Sequence, residues 1–149
     1  MGRFSRRKGA RGEVSVIHLL RTIGIEAWST RSTQAASARK WDLDWDGCKY
    51  GIEVKIGQSW TVPAAWRQAV RGCEGTDRAP VLIARRDRGE WQVWVRNGDL
   101  PWWFTRWPKL VDGAELMTTT AEAWLAWVKF KAQAPVVCAE AKGEVDDGR

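Results

Sequence analysis

The chain has 149 residues, 44% hydrophobic and 28% charged, with a net charge of +6. That suits one globular domain with a real core, and the basic balance favours a polyanionic partner, nucleic acid first. No apolar run reaches about 18 residues, so no membrane span or membrane partner is expected. His18 is the only histidine, which excludes two-histidine metal sites such as HExxH. The cysteines Cys48, Cys73 and Cys138 form no CxxC pair, so neither a disulfide framework nor a zinc site is implied, and a reducing cytoplasm is the expected location.

Residues 1–11 carry Arg3, Arg6, Arg7, Lys8 and Arg11 with no acid, and Gly2 and Gly9 loosen the backbone. They read as a flexible basic arm suited to phosphate contacts, ahead of a domain over 12–134. From Glu13 to Ile23, the residues Val14, Val16, Ile17, Leu19, Leu20 and Ile23 make an apolar helical face that Gly24 stops. Glu13 then stands in the first turn, at the positive end of the helix dipole. Ile25 to Ser29 reads as a short strand. A Ser/Thr/Ala-rich loop follows with Arg31, Arg39 and Lys40, further candidates for phosphate contacts.

Asp46-Gly47 is a turn signal between two alternating runs. With these as the central turn residues, Leu43, Trp45, Cys48, Tyr50, Ile52 and Val54 share one face. Asp42, Asp44, Lys49, Gly51, Glu53 and Lys55 share the other. Val62 to Cys73 predicts a helix with Pro63 in its first turn, carrying Gln68. Pro80 to Ala84 reads as an interior strand, Arg85 to Gly89 as a turn, and Glu90 to Arg96 as an alternating strand. The aromatic stretch Asp99 to Trp107 carries no clear period. Thr120 to Ala132 predicts a last helix, with Thr119 and Glu122 spaced as a capping box. The polar tail 135–149 is expected to be disordered. Most of the twelve tryptophans should be core or half-buried surface, with base stacking open to one or two.

The fold class is therefore α/β (α+β): a central mixed sheet flanked by helices, in the order α-β-β-β-α-β-β with a C-terminal helix. That order and four groups of residues resemble the PD-(D/E)xK nuclease superfamily, closest to its archaeal and phage Holliday-junction-resolvase-like branch. The carrying residues are Arg11, Gly12 and Glu13 on the first helix; Trp41, Asp42 and Leu43 opening the hairpin; Ile52, Glu53, Val54 and Lys55 on its second strand; and Trp66, Arg67, Gln68 and Ala69 on the next helix. The resemblance spans about residues 9–97 and implies a restriction-endonuclease-like core. Trp41 stands where the family usually has proline, and the serine of the loop motif is Ser32 or Ser37.

The resemblance implies that Glu13, Asp42 and Glu53, with the Val54 carbonyl, bind Mg²⁺, for which Mn²⁺ substitutes. It implies that Lys55 sits beside the attacking water and that Gln68 positions the site. Asp44 shares the face of Asp42, so the middle ligand stays open between them. The implied activity is metal-dependent cleavage of branched DNA by a homodimer. The alternatives are a restriction-like, repair or flap endonuclease of the same fold, and a non-catalytic basic nucleic-acid-binding module. Phosphodiester hydrolysis needs a cation to polarise the phosphate, and magnesium accepts one or two carboxylates with water. Glu53 and Lys55, two apart on a strand, fall on one side of it.

Overall fold

The computed structural model describes residues 3–32, 41–96, 98–99, 106–111 and 114–133. Arg39, Lys40, Ser37, Cys138 and the tail 135–149 lie outside the described residues, as does most of the aromatic stretch before residue 106. The elements run α1 (Arg3–Thr22), β1 (Trp28–Ser29), a 3-10 turn (Thr30–Ser32), β2 (Leu43–Asp44), β3 (Tyr50–Ile56), α2 (Val62–Cys73), β4 (Ala79–Arg85), β5 (Gln92–Arg96), β6 (Arg106–Val111), β7 (Ala114–Thr120) and α3 (Ala121–Gln133). The expected order holds, with the hairpin β6–β7 added before the last helix. One seven-stranded sheet is ordered β1-β2-β3-β4-β5-β7-β6. Among the described strands only β3 and β4 pair in parallel, joined through α2; the other neighbours are antiparallel. Among the described residues no helix is long and apolar enough to cross a membrane.

The two sheet faces bury different clusters. On one, Val16, Ile17 and Leu20 of α1 and Trp124, Leu125 and Val128 of α3 pack on Ile52, Val54, Val81, Ile83, Val93 and Val95. On the other, Ala65 and Trp66 of α2 pack on Leu82, Ala84, Trp94 and Leu116. Alternation along β3 therefore sends Ile52 and Val54 towards α1 and α3, and sends Glu53 and Lys55 to the α2 side.

Three local expectations are corrected. The first helix starts at Arg3, so Arg3, Arg6, Arg7, Lys8 and Arg11 lie on helical backbone and not on a loose arm. Arginine, lysine and alanine favour helix enough to carry the chain through Gly9 and Gly12. Gly12 has a packing reason. A Cβ there would come 3.3 Å from Ile56 and 3.4 Å from Val54, so the glycine lets α1 lie close against β3. Glu13 is consequently mid-helix, and the first-turn dipole argument for it falls.

The hairpin register is also shifted. The Cys48 amide donates to the Trp45 carbonyl at 3.0 Å, so Asp46 and Gly47 do form the turn. Positive φ occurs at Gly47 (+76°) but not at Asp46, which rules out the type I′ geometry of a two-residue hairpin. Leu43 pairs with Ile52, where a two-residue loop would set it opposite Tyr50. A slip of two residues keeps every side chain on its expected face. Lastly, α3 is capped by Thr120, whose Oγ1 accepts the Ala123 amide at 3.2 Å. Thr119 is buried at the end of β7.

Candidate active site

The short β2 strand is what opens a site. It contributes only Leu43 and Asp44, and the chain then leaves β3 at Asp42. There the Asp42 amide still donates to the Ile52 carbonyl at 2.7 Å. Its side chain joins β3 as well: Asp42 Oδ2 accepts the Val54 amide at 2.9 Å. The Val54 side chain is in the core, and by strand geometry its carbonyl lies along this same edge.

Glu13 approaches the fork from α1. Its neighbours Val16, Ile17 and Leu20 form the buried stripe at helical spacing, and Glu13 continues that stripe at 2% exposure. Val14, expected on the apolar face, is exposed instead. Ser29 Oγ donates to Glu13 Oε2 at 2.7 Å, and Arg31 Nη2 stands 2.8 Å from Oε1. That ion pair lacks hydrogen-bond alignment, so Oε1 is buried and, among the described residues, has no donor directed at it. Burial raises the Glu13 pKa above the usual carboxylate range, the Ser29 hydrogen bond opposes that, and the Asp42 charge adds to it.

Glu53, 2% exposed, points from β3 to the α2 side and forms an ion pair with Lys55. Its pKa is pushed up to about 7, first by burial and next by Asp42, against the pull of Lys55 and Arg31. Lys55 Nζ also donates to Gln68 Oε1 at 2.9 Å, which ties the strand to the exposed flank of α2. Arg31 reaches Asp42 Oδ1 at 3.5 Å, so its guanidinium bridges Glu13 and Asp42. Two linked groups result: Glu13 reaches Asp42 through Arg31, Glu53 reaches Gln68 through Lys55, and Asp42 joins β3 at the Val54 amide.

Asp44 belongs elsewhere. It is 3% exposed, Arg78 Nη1 donates to its Oδ1 at 2.8 Å, and the Trp45 amide donates to the same oxygen at 2.9 Å. Arg78 further donates to the Tyr50 carbonyl and lies over the Trp41 ring. This pair staples the hairpin to the turn before β4. Asp42 is therefore the acid that faces Glu53.

Sequence reasoning missed Ser29 and Arg78, and it assigned Arg31 to phosphate contact where the guanidinium lies among carboxylates. No local signal marks Arg78. The helical spacing of Glu13 with Val16, Ile17 and Leu20 was a readable sign that Glu13 is buried.

The expected three-acid metal cage does not form. Among the described residues no three Asp, Glu, His or Cys side chains gather closely enough to hold an ion. Arg31 stands between Glu13 and Asp42, which is the physical reason. Asp42 and Glu53 would be the two carboxylates to hold a magnesium ion, with water at its remaining positions. Burial pushes the Glu53 pKa up to about 7, a cost that a cation beside the carboxylate would offset.

No protein-family model and no curated protein matches this chain. Among solved structures it is similar to Hjc of Archaeoglobus fulgidus, described as a Holliday junction resolvase from an archaeal hyperthermophile. The identity is 16%, the match covers 82% of this chain and 95% of that one, and the TM-score is 0.44.

Proposed function

We propose that the chain is a magnesium-dependent endonuclease that hydrolyses phosphodiester bonds in branched DNA. The observation that carries this reading is the buried Glu53 carboxyl, paired with the Lys55 ammonium and under the charge of Asp42 at the fork of β2 and β3. Asp42, Glu53 and the Val54 carbonyl would hold the ion, which when bound supplies a Lewis acid for the phosphate and lowers the pKa of a water. Lys55 places positive charge where negative charge grows on phosphorus and orients the attacking water. Gln68 holds the Lys55 amine at its working distance. Ser29 and Arg31 hold the Glu13 carboxylate. The basic first half of α1, with Arg39 and Lys40, would contact DNA phosphates, largely without regard to sequence.

Branched DNA as the substrate, action as a homodimer and a place in recombination or repair follow the superfamily resemblance. So does the alternative of a restriction-like, repair or flap nuclease. A second reading, a basic DNA-binding module without catalysis, is favoured by one observation. Each acid in the fork already has a cationic neighbour, and the described residues form no three-acid cage.

The deciding experiment incubates the purified chain with labelled four-way junction, fork, duplex and single strand, each with Mg²⁺, Mn²⁺ or EDTA. Cutting of the branched forms in metal alone, lost in Glu53→Ala, is expected. Cutting in EDTA overturns the mechanism, and binding without cutting in any metal selects the second reading.

A further inference from the structure

On the sheet face that carries Glu53 and Lys55, over β4 and β5, lies a cavity of about 280 Å³ that the proposed chemistry does not use. Trp60, Ala84, Arg86, Glu90, Gln92 and Trp94 line it. Its position follows from strand register. Lys55 pairs with Ala84 on β4, and Ala84 pairs with Gln92 on β5. The cavity floor therefore begins one strand, about 5 Å, from the Lys55 backbone and faces the same way. Its outer wall is the connection from β3 to α2, the segment that links Lys55 to Gln68.

The wall chemistry is that of a stacking slot. The Trp60 and Trp94 rings meet edge to face, 5.9 Å apart. The Arg86 guanidinium lies 4.2 Å over the Trp60 ring, and a hydrogen bond of 2.7 Å to the Gln58 carbonyl holds it there. The Trp60 indole N–H is buried and, among the described residues, has no acceptor. Glu90 and Gln92 supply polar groups at the rim. Aromatic rings and guanidinium planes are the surfaces on which unpaired bases stack. The volume is at the lower limit of small-molecule pockets, about 300 Å³, so it admits one heteroaromatic ring and not a base pair.

We propose that this cavity receives a single unpaired nucleobase of the strand being cut, beside the scissile phosphate. The inference rests on the nuclease reading and names how that site would select its substrate. A base already unpaired at a branch point enters without the cost of extrusion, whereas a paired one must first leave its stack.

The test uses the Glu53→Gln protein with fork DNA that carries 2-aminopurine at successive positions around the branch, without divalent metal. One position should show a large change in emission on binding. Trp60→Ala and Gln92→Trp, the second of which fills the cavity while leaving the core intact, should abolish that change. Each should also weaken fork binding about tenfold, with duplex binding altered less than twofold. With Glu53 intact, the same variants should cut forks about tenfold more slowly. Equal emission changes at every position, or an unchanged signal in Gln92→Trp, overturn the proposal. Failure of the unmutated chain to cut any DNA in Mg²⁺ overturns the nuclease reading separately, because the emission experiment needs no cleavage.

Discussion

The Asp42 carboxylate accepts the Val54 amide at 2.9 Å, so a side chain stands where the next bond of the β2–β3 ladder would be. That one hydrogen bond both ends the strand pairing and sets an acid beside Glu53. Asp42→Ala should leave the buried amide unpaired and cost about 1–3 kcal/mol in urea unfolding. Asp42→Asn keeps an acceptor, so it should stay within about 1 kcal/mol of the parent yet lose cleavage. Equal destabilisation by both variants would show that the bond is idle.

Glu53 gives the fold a pH dependence of stated sign. Its folded pKa, about 7, lies above the ordinary 4.5, so the folded state holds the proton more tightly than the unfolded one. The protonated form favours folding, and stability should fall as pH rises from 4.5 to about 7. Glu53→Gln removes this dependence and should be the more stable protein above about pH 7, by a margin on the order of 1–3 kcal/mol. Urea midpoints across that range measure it; parallel curves for the two proteins would refute the burial argument.

A divalent ion should restore what burial takes from Glu53. Mg²⁺ in large excess over its dissociation constant is expected to raise the melting temperature of the unmutated chain, as any ligand of the folded state does. Glu53→Gln and Asp42→Asn should show no such rise, and EDTA should abolish it. A rise of equal size in all three proteins would place the ion elsewhere.

Lys55 and Gln68 should separate chemistry from binding. Lys55→Ala is expected to slow cutting by about 10² or more with junction affinity nearly unchanged. Gln68→Ala only loosens the amine, so a fall of roughly ten- to hundred-fold in kcat is expected, with KM little altered. Gel-shift and single-turnover assays read the two effects.

Replacing Arg3, Arg6, Arg7 and Lys8 with glutamine keeps good helix formers in α1 while removing charge. DNA binding should weaken for every sequence. The slope of log affinity against log salt should flatten by about 0.9 for each phosphate that these side chains no longer neutralise. An unchanged slope would show that this segment neutralises none.

Much of the fork was legible along the chain. The period of two through Leu43, Trp45, Ile52 and Val54 put Asp42, Glu53 and Lys55 on the other side of the sheet, and the two-residue register slip left that intact. The bounds of α2 were readable from Pro63 and the spacing of its apolar residues. The strands β6 and β7 were not, because their sequence lacks a clean period and their pairing with β5 is a non-local event.

Local alternation and helical spacing depend only on neighbours within a turn or a strand, so the sequence by itself determined the order of elements through β5 and which side of β3 carries its acids. The depth of burial, the gap beyond Asp42, the Arg31 bridge from Glu13 to Asp42 and the removal of Asp44 by Arg78 were decided by packing alone. Those interactions join residues far apart in the chain, and their strength depends on a low-dielectric interior that exists only once α1, α2 and the sheet have closed over it.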